Sequence, residues 1–262
     1  MAPVLPLVMG VLNVTPDSFS DGGRWLDPDA AVAHALALAA DGADVVDVGG
    51  ESTRPGAEPV PEAEELRRVV PVVRALAGRV RISVDTRTRA VAEAAIEAGA
   101  TIVNDVSASL SPVVAAAGPG VGWVAMHMQG EPPTMQRAPR YDDVVDEVRS
   151  FLIERAEAAR AAGVDEIWID PGIGFGKTAS HNLTLLRRLG ELVGTGWPVA
   201  IGTSRKGFLG VLTGDAPVDD RLEPSVATAA WALLRGASMV RVHDVAPTIA
   251  ARRLLFEEVD AA

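Results

Sequence analysis

The feature that most constrains the fold of this chain is a repeated unit in which a glycine follows an alanine-rich segment and precedes a short apolar run. The unit begins at Gly42-Ala43, Gly99-Ala100, Gly163-Val164 and Gly236-Ala237. A polar residue comes five positions after the glycine at Asp47, Asn104 and Arg241, and Asp170 follows Gly163 after a slightly longer run. Because glycine commonly lies just past a helix end, the unit predicts a helix, a turn, a strand and a polar strand end.

Short apolar runs alternate with amphipathic stretches along the whole chain, which is typical of repeated βα units. Eight strands are predicted, at Val8 to Asn13, Val45 to Gly49, Val80 to Asp85, Ile102 to Asp105, Trp123 to His127, Ile167 to Asp170, Val199 to Gly202 and Met239 to Val242. Helices are predicted at Asp29 to Ala40, Glu62 to Leu76, Thr88 to Ala98, Tyr141 to Ala162, Asn182 to Leu192, Pro224 to Leu234 and Pro247 to Val259.

This alternation predicts an α/β fold, a single (β/α)8 TIM barrel, for which about 250 residues are typical. The dinucleotide-binding fingerprint that would favour an open doubly wound sheet is absent after the first strand. No linker or low-complexity segment interrupts the pattern, so we expect one domain over residues 1–262. In such a barrel the active site lies at the carboxyl ends of the strands.

The charge and the amino-acid composition limit which kinds of partner this protein can bind. The chain of 262 residues has a net charge of −11, which argues against a nucleic-acid or anionic-membrane surface. It has no cysteine, which excludes disulfides, thiolate catalysis and cysteine-ligated metals and suits the cytoplasm. The amino terminus does not resemble a signal peptide, and no apolar run reaches the roughly 18 residues of a membrane span. We therefore expect a cytoplasmic protein that binds small molecules.

Polar residues follow the apolar part of every predicted strand. They are Asn13, Asp47, Asp85, Asn104 with Asp105, His127, Asp170, Ser204 to Lys206, and Arg241 with His243. Helix capping or hydrogen bonding to loop backbone is a fair alternative for any single one of them. Capping does not explain Lys206, Arg241 or His243, so the set as a whole indicates a binding site.

The strand-end residues fall into two chemical groups. Asp85, Asn104 and Asp170 offer acceptors and one amide, which suit a flat heterocycle with several N–H donors, such as a 2-amino-4-oxo pyrimidine edge. The cationic group, Lys206, Arg241 and His243, indicates a local phosphate or diphosphate subsite. The neutral Asn13 would suit a Mg²⁺ ion that also binds phosphate oxygens.

The stretch from Ile167 to Lys177, IWIDPGIGFGK, ends like a phosphate-binding P-loop. That motif requires a glycine five positions before Gly176, where this chain has Pro171. The stretch instead predicts a strand that delivers Asp170 and a turn whose glycines let the backbone approach a ligand closely. Lys177 has no predicted role.

Two loops after early strands, residues 15–23 and 51–57, are rich in Gly, Pro and Ser. They would close over a bound ligand and exclude water, although ordinary polar βα loops are an alternative for each. The strand-end His127 is interpreted as pocket lining, since a lone histidine is more often packed than metal-bound.

Eight ordered motifs resemble those of the bacterial dihydropteroate synthases. They are MGVLNVTPDSFSDGG at 9–23, DVGGESTRPGA at 47–57, SVDT at 83–86, NDVS at 104–107, MHMQG at 126–130, DPGIGFGK at 170–177, SRK at 204–206 and RVHDV at 241–245. The resemblance implies a folate-pathway transferase that condenses 6-hydroxymethyl-7,8-dihydropterin diphosphate with 4-aminobenzoate. It also implies Mg²⁺ as cofactor, competition by sulfonamides and a homodimer.

Matching motif positions carry implied roles to this chain in three groups. The pterin-binding residues are Asp85, Asn104, Met126, Asp170 and Lys206. The diphosphate-binding residues are Asn13, which would act through Mg²⁺, with Thr53, Arg54, Arg241 and His243. The aminobenzoate-binding residues are Phe19, Pro55, Phe175, Ser204 and Gly207. Asp85, Lys206, Arg241 and His243 would be the catalytic groups.

One departure from the family pattern is Gly207, which stands where many members have a serine. The aminobenzoate carboxylate would then depend on backbone N–H groups at the start of that helix. A second departure is NDVSA at 104–108, which lacks the usual following glycine pair and leaves the shape of that loop open.

Two alternatives belong to related proteins. A catalytically inactive pterin-binding paralogue should have lost the SRK motif or the pterin-binding acids. A pterin-dependent methyltransferase has no need of Lys206, Arg241 and His243 as a diphosphate clamp. A purely structural barrel, from another class, leaves the charged residues at the strand ends unexplained.

Overall fold

A computed structural model of the chain describes residues 5–15, 27–52 and 57–257. Within these residues, eight parallel strands form one sheet. The strands are β1 Leu7–Asn13, β2 Val45–Gly49, β3 Ile82–Asp85, β4 Ile102–Asp105, β5 Gly122–Met126, β6 Ile167–Asp170, β7 Ala200–Ile201 and β8 Met239–Val242. Their order is β6-β5-β4-β3-β2-β1-β8-β7, and a parallel bridge between Ile169 and Val199 joins the two ends. The predicted (β/α)8 barrel is confirmed.

Helices follow the strands and surround the barrel. Within the described residues they are α1 Pro28–Ala40, α2 Glu62–Leu76, α3 Arg89–Ala98, α4 Ser111–Ala117, α5 Val144–Ala161, α6 Ala179–Arg187, α7 Leu189–Val193, α8 Gly207–Leu212, α9 Leu222–Leu234 and α10 Val245–Phe256. Outward-facing strand residues such as Val46 and Val84 join helix residues such as Val69 in one buried apolar cluster. None of these helices combines the length and apolarity that crossing a membrane requires.

The four glycines of the repeating unit connect helix to strand through a left-handed backbone. Their φ angles are +105° at Gly42, +118° at Gly99, +97° at Gly163 and +95° at Gly236. At Gly99, which ends α3, the N–H groups of Gly99 and Ala100 donate to the carbonyls of Ile96 and Ala95. The helix end is thereby satisfied within one turn, and the chain enters the next strand directly.

The barrel interior has an apolar lower layer and a polar upper layer, because side chains alternate in direction along each strand. The lower layer is a buried cluster of Met9, Val45, Ile102, Val124, Trp168, Ala200 and Met239. Two positions after a member of that cluster, four strands carry Asp47, Asn104, Asp170 and Arg241. The parallel register sets Asp85 beside Asn104 and Met126 beside Asp170. The sequence alternation thus places the polar residues together at the barrel mouth.

Candidate active site

Arg241, from β8, lies between two buried carboxylates at the barrel mouth. Its Nε donates to Asp47 Oδ2 at 2.6 Å, and its Nη2 donates to Asp85 Oδ2 at 2.7 Å. The Nδ2 of Asn104 donates to the same Asp47 oxygen at 3.1 Å. Strands β2, β3, β4 and β8 are therefore connected by one guanidinium, one amide and two carboxylates, with Arg241 reaching past β1. The cationic and acceptor groups predicted from the sequence are in direct contact.

Asp47 is the residue of this network to which sequence reasoning gave no role. It is completely buried, and it orients both Arg241 and Asn104 through a single oxygen. The signal was present, since Asp47 lies at the same five-residue distance after its glycine as Asn104 and Arg241 do. The geometry identifies it as a positioning residue for the two side chains.

Each of the two carboxylates keeps one oxygen without a partner. Among the described residues, Asp47 Oδ1 and Asp85 Oδ1 are buried and accept no hydrogen bond. Buried acceptors are almost always hydrogen-bonded, so an unpaired one at a barrel mouth indicates a position for a ligand donor or a water. Burial raises the pKa of Asp85 to about 7, although Arg241 opposes the shift, and the nearby Asp47 adds to it.

A second acid and base pair lies across the mouth, where Asp170 ends β6 and Lys206 precedes α8. Asp170 Oδ1 accepts the N–H of Gly172 at 2.7 Å, and Lys206 Nζ donates to the carbonyl of Ile173 and lies 4.8 Å from the ring centre of Phe175. Burial raises the pKa of Asp170 while the charge of Lys206 opposes that shift. Burial also lowers the pKa of Lys206 to about 8, against the pull of Asp170.

His243 follows β8 and is held by Ser204, which follows β7. The His243 N–H donates to Ser204 Oγ at 3.1 Å, and the ring Nδ1 lies 3.1 Å from the same oxygen. The structure therefore places the buried Ser204 on the side of His243, whereas Gly207 begins α8 at an exposed position. Between them, Arg205 pairs with Asp244 through two hydrogen bonds of 3.0 and 2.6 Å.

Asn13 ends β1 in register with Gly49, which in turn is paired with Asp85. No hydrogen bond of the Asn13 side chain is seen among the described residues, and its Oδ1 lies near the same face of Gly49 as Asp85 Oδ2. The described part of the chain holds no group of three or more His, Cys, Asp or Glu able to bind a metal ion. This donor set fits Mg²⁺ only if substrate and water supply most of its ligands, which is how that ion often binds.

Four predicted site residues lie outside the described residues: Phe19, Thr53, Arg54 and Pro55. The remaining ones border the same mouth. Met126, in register with Asp170, is buried and packs beside Gly172, and Phe175 is half-buried next to Lys206.

The fold and this mouth define a barrel of the pterin binding enzyme class, whose family model matches residues 9–243. The dihydropteroate synthase of Mycobacterium leprae (strain TN) is 51% identical over 271 residues, which cover 97% of this chain and 93% of the relative. The solved dihydropteroate synthase of Yersinia pestis with a sulfonamide drug aligns with a TM-score of 0.91 at 44% identity, covering 96% of this chain and 93% of that one. That of Burkholderia cenocepacia, complexed with 7,8-dihydropteroate, aligns with a TM-score of 0.84 at 46% identity over 95% of this chain and 90% of that one. The chain belongs to the dihydropteroate synthase family.

Proposed function

We propose that this protein condenses 6-hydroxymethyl-7,8-dihydropterin diphosphate with 4-aminobenzoate to give 7,8-dihydropteroate and diphosphate. The observation that carries the proposal is the contact of Arg241 with Asp85, whose second oxygen is buried and unpaired among the described residues. It sets a cation for a leaving diphosphate next to a carboxylate for a developing positive charge. The similarity to dihydropteroate synthases over nearly the whole chain supports the same reaction.

The pterin ring would lie between the two acid-bearing sides of the mouth. Asp170 would accept from the amino and N–H groups of the pterin edge, and Asn104 and Asp85 would bind along the same edge. The charges of Asp170 and Asp85 both act to raise the pKa of Lys206 and so favour its protonated form. A protonated Lys206 would donate to the O4 and N5 side of the ring. Met126 would line the bottom of the pterin site. A carboxylate that accepts two parallel hydrogen bonds gives both orientation and strength.

The diphosphate would lie against Arg241 and His243, with Thr53 and Arg54 contributing from the second loop. Asn13 would bind Mg²⁺ together with diphosphate oxygens and water. When bound, Mg²⁺ neutralises charge on the diphosphate and improves it as a leaving group. The guanidinium of Arg241 serves the same purpose from the protein side, and its orientation is fixed in advance by Asp47.

The bond that breaks is the one between the pterin methylene carbon and the diphosphate oxygen, and its electron pair leaves with the diphosphate. The resulting carbocation is stabilised by the ionised Asp85 in a buried site, where charge interactions are strong. The nitrogen of 4-aminobenzoate then forms the new bond to the methylene carbon and releases a proton to solvent. A weakly basic aryl amine requires no strong general base, so neither a His-Asp pair nor a nucleophilic serine is needed.

The 4-aminobenzoate would lie beside Phe175, with Phe19 and Pro55 completing the walls when the first two loops close. Its carboxylate would be bound near Ser204 and Gly207. The half-buried Phe175 ring next to Lys206 supports this arrangement, because it borders the pterin site directly. Holding both reactants in line removes much of the entropic barrier to a two-substrate reaction.

The proposal is tested by incubating purified protein with the pterin diphosphate, 4-aminobenzoate and Mg²⁺ and identifying the product by mass spectrometry. We expect 7,8-dihydropteroate, and we expect sulfonamides to raise the apparent KM for 4-aminobenzoate without changing the limiting rate. A protein that binds the pterin diphosphate but forms no product would instead be an inactive pterin-binding paralogue. Transfer of a methyl group would indicate the methyltransferase alternative, which the 51% identity to a dihydropteroate synthase disfavours.

Magnesium dependence gives a prediction for Asn13. We expect the Asn13→Ala variant to need about 10-fold or more Mg²⁺ for half-maximal rate, because one protein oxygen ligand is lost while the phosphate ligands remain. The measurement is a titration of activity with Mg²⁺ after removal of metal by a chelator. A variant that saturates at the same Mg²⁺ concentration as the parent would remove Asn13 from the metal site.

The pH dependence of kcat/KM for the pterin diphosphate is a second prediction. We expect the rate to rise as pH passes about 7, where Asp85 loses its proton, and to fall as pH passes about 8, where Lys206 loses its proton. Both groups act in their charged forms, so the maximum lies between the two values. The control is Lys206→Arg, since a guanidinium stays protonated throughout. Its alkaline limb should move to higher pH whatever its absolute rate, and an unmoved limb would assign that limb to another group.

Two proposals concern the protein as a whole. We infer a cytoplasmic location from the absence of cysteine, and a homodimer from the family resemblance. Light scattering in solution measures the second directly.

A further inference from the structure

Lys177 is a buried lysine to which the proposed function assigns no role. Its Nζ lies 2.9 Å from Nδ1 of His127, donates to the His127 carbonyl at 3.3 Å and donates to the Phe175 carbonyl at 3.0 Å. Lys177 as a whole residue is only 2% exposed. An ammonium group has three hydrogens, and these three acceptors use all of them. Lys177 therefore has no donor left for a substrate, so it acts on the reaction through its hydrogen-bond partners and through the effect of its charge on Asp170.

Lys177 directly follows a glycine-rich turn, residues 171–176. This turn lies between Asp170 and the side of the mouth proposed to bind aminobenzoate. Four consecutive carbonyls of this turn each accept a hydrogen bond from a side chain. The pairs are Ile173 with Lys206, Gly174 with Gln136 at 2.7 Å, Phe175 with Lys177 at 3.0 Å, and Gly176 with Tyr141 at 2.8 Å. The shape of the glycine-rich turn is thus set by side chains, because its glycines alone allow many conformations.

The glycine-rich turn also lies directly on the segment that follows β5. A Cβ atom added to Gly172 would lie 1.9 Å from the His127 carbonyl oxygen, and one added to Gly176 would lie 2.2 Å from that of Gln129. Gly172 and Gly176 have φ angles of +64° and +59°, so both the space and the backbone conformation require glycine there. Lys177 connects these two layers, since it donates to a carbonyl in each.

His127 completes the arrangement as a neutral acceptor. Burial, followed by the charge of Lys177, lowers the pKa of His127 to about 3, so the ring carries no charge at neutral pH. The lone pair of its Nδ1 then faces the Lys177 ammonium. The His127 ring also packs edge-on against the Phe151 ring, with 5.1 Å between the two ring centres. His127, interpreted from the sequence as pocket lining, thus supplies two of the three hydrogen-bond acceptors of Lys177.

We propose that Lys177 is a positioning residue that fixes the glycine-rich turn on the His127 segment and thereby holds Phe175 at the aminobenzoate side of the mouth, an inference that rests on the proposed function. Its bond to the Phe175 carbonyl sets the backbone from which that ring projects. Its bond to the His127 carbonyl holds the turn against the His127 segment beside Gly172, whose N–H donates to Asp170.

A role in stability alone does not explain a lysine at this position. Burial lowers the pKa of Lys177 to about 7 despite the opposing attraction of Asp170, which means that folding disfavours its charge. Methionine fills nearly the same space as lysine without the cost of burying a charge, although it leaves the three acceptors of Lys177 without their donor. Among the described residues the direct partners of Lys177 are uncharged, so we expect Lys177→Met to fold.

The test compares Lys177→Met with the parent by steady-state kinetics. We expect the KM for 4-aminobenzoate to rise about 10-fold or more, because a displaced Phe175 no longer holds the ring in line. Inhibition by inorganic pyrophosphate should stay within about 2-fold of the parent, since Asp47 and Asp85 orient Arg241 and Ser204 contacts His243, and none of these three residues belongs to the turn. A second variant, Tyr141→Phe, removes only the bond to Gly176 and should raise the same KM by a smaller factor.

Unchanged KM values in Lys177→Met would overturn the inference, as would an equal weakening of 4-aminobenzoate and pyrophosphate binding, which indicates general loosening of the barrel. If Lys177→Met does not fold, Tyr141→Phe decides: a parental KM for 4-aminobenzoate contradicts the inference, and a selectively raised one supports it. A parent protein that forms no 7,8-dihydropteroate contradicts the proposed function and this inference together. An active parent with unaffected variants contradicts the role of Lys177 alone.

Discussion

We expect the Asp85→Asn variant to lose turnover by at least about 10²- to 10³-fold while it keeps the fold, because the substitution removes the negative charge that stabilises the pterin cation. The amide has nearly the same shape as the carboxylate and can still accept from Arg241 Nη2 through its oxygen. The measurement is kcat with both substrates saturating, with circular dichroism as the check on the fold. Turnover within a few fold of the parent would remove Asp85 from the reaction.

Thermal unfolding of the same variant as a function of pH measures how the charge of Asp85 affects the stability of the fold. Burial raises the folded-state pKa of Asp85 from 3.8 to about 7, so the folded state holds a proton that the unfolded state has lost between those values. Stability from this group therefore falls as pH rises from about 4 to about 7, and the loss is complete above that range. Asp85→Asn should remove this part of the slope and be no less stable than the parent at pH 8.

Ser83→Ala is a matched control on the same strand. Ser83 is fully buried two positions before Asp85, and its hydroxyl has no hydrogen-bond partner among the described residues. We expect this variant to stay within about 2-fold of the parental kcat, because no described contact is lost. A large loss in Ser83→Ala would mean that β3 tolerates no change and that Asp85→Asn is uninformative about charge.

The second large effect is expected for Arg241→Met, which should be both inactive and destabilised. The substitution removes the cation that faces the diphosphate, and it leaves the buried carboxylates of Asp47 and Asp85 without their partner. Breaking a buried ion pair from one side costs about 3–5 kcal/mol. The KM for the pterin diphosphate should rise and turnover should fall by about 10²-fold or more. The destabilisation should shrink as pH falls, because protonation then neutralises the two unpaired carboxylates.

The Arg252→Met variant is a control that separates the loss of stability from the loss of diphosphate binding. Arg252 is also a largely buried arginine paired with an aspartate, Asp44 at 2.5 Å, but it lies at the amino ends of β1 and β2. We expect it to lose stability, though less than Arg241→Met because Asp44 is partly exposed, while its KM values stay parental. Parental KM values in Arg241→Met as well would place the diphosphate away from Arg241.

Much of the fold could be predicted from the sequence because each βα unit carries its own local signals. The bounds of β2, β4, β6 and β8 are those predicted from their apolar runs, and the left-handed glycines end the helices where expected. The short helices α4 and α8 were missed, since seven and six residues give too few turns for a periodic pattern. The single domain over residues 1–262 stays a prediction.

Helix starts were the least accurate part. The helix predicted from Tyr141 begins at Val144, after Asp143 accepts the N–H groups of Val145 and Asp146. The one predicted over Asn182 to Leu192 begins at Ala179, where Thr178 and His181 form a capping box, and is divided at Arg188 into α6 and α7. Capping contacts of this kind compete with periodicity and decide the first turn.

The sequence allowed the strand-end residues to be grouped, but it could not show how they contact one another. Period-two alternation brings the strand ends to one face, so Asp85, Asn104, Asp170 and Arg241 could be grouped before their contacts were known. The sequence could not show that Arg241 would bind Asp47 as well as Asp85, because that pairing joins residues 194 positions apart across a closed barrel. The burial of Lys177 was equally hidden, since it depends on how residues 127–130 lie against the glycine-rich turn.

The most direct test of the central claim is to measure diphosphate and 7,8-dihydropteroate in the same reaction of the parent protein with the pterin diphosphate, 4-aminobenzoate and Mg²⁺. We predict equal amounts of the two products with both substrates, and no 7,8-dihydropteroate and much slower diphosphate release when 4-aminobenzoate is left out. Diphosphate released at the same rate without 4-aminobenzoate, or no product with both substrates present, would contradict the assignment of this barrel mouth to the condensation.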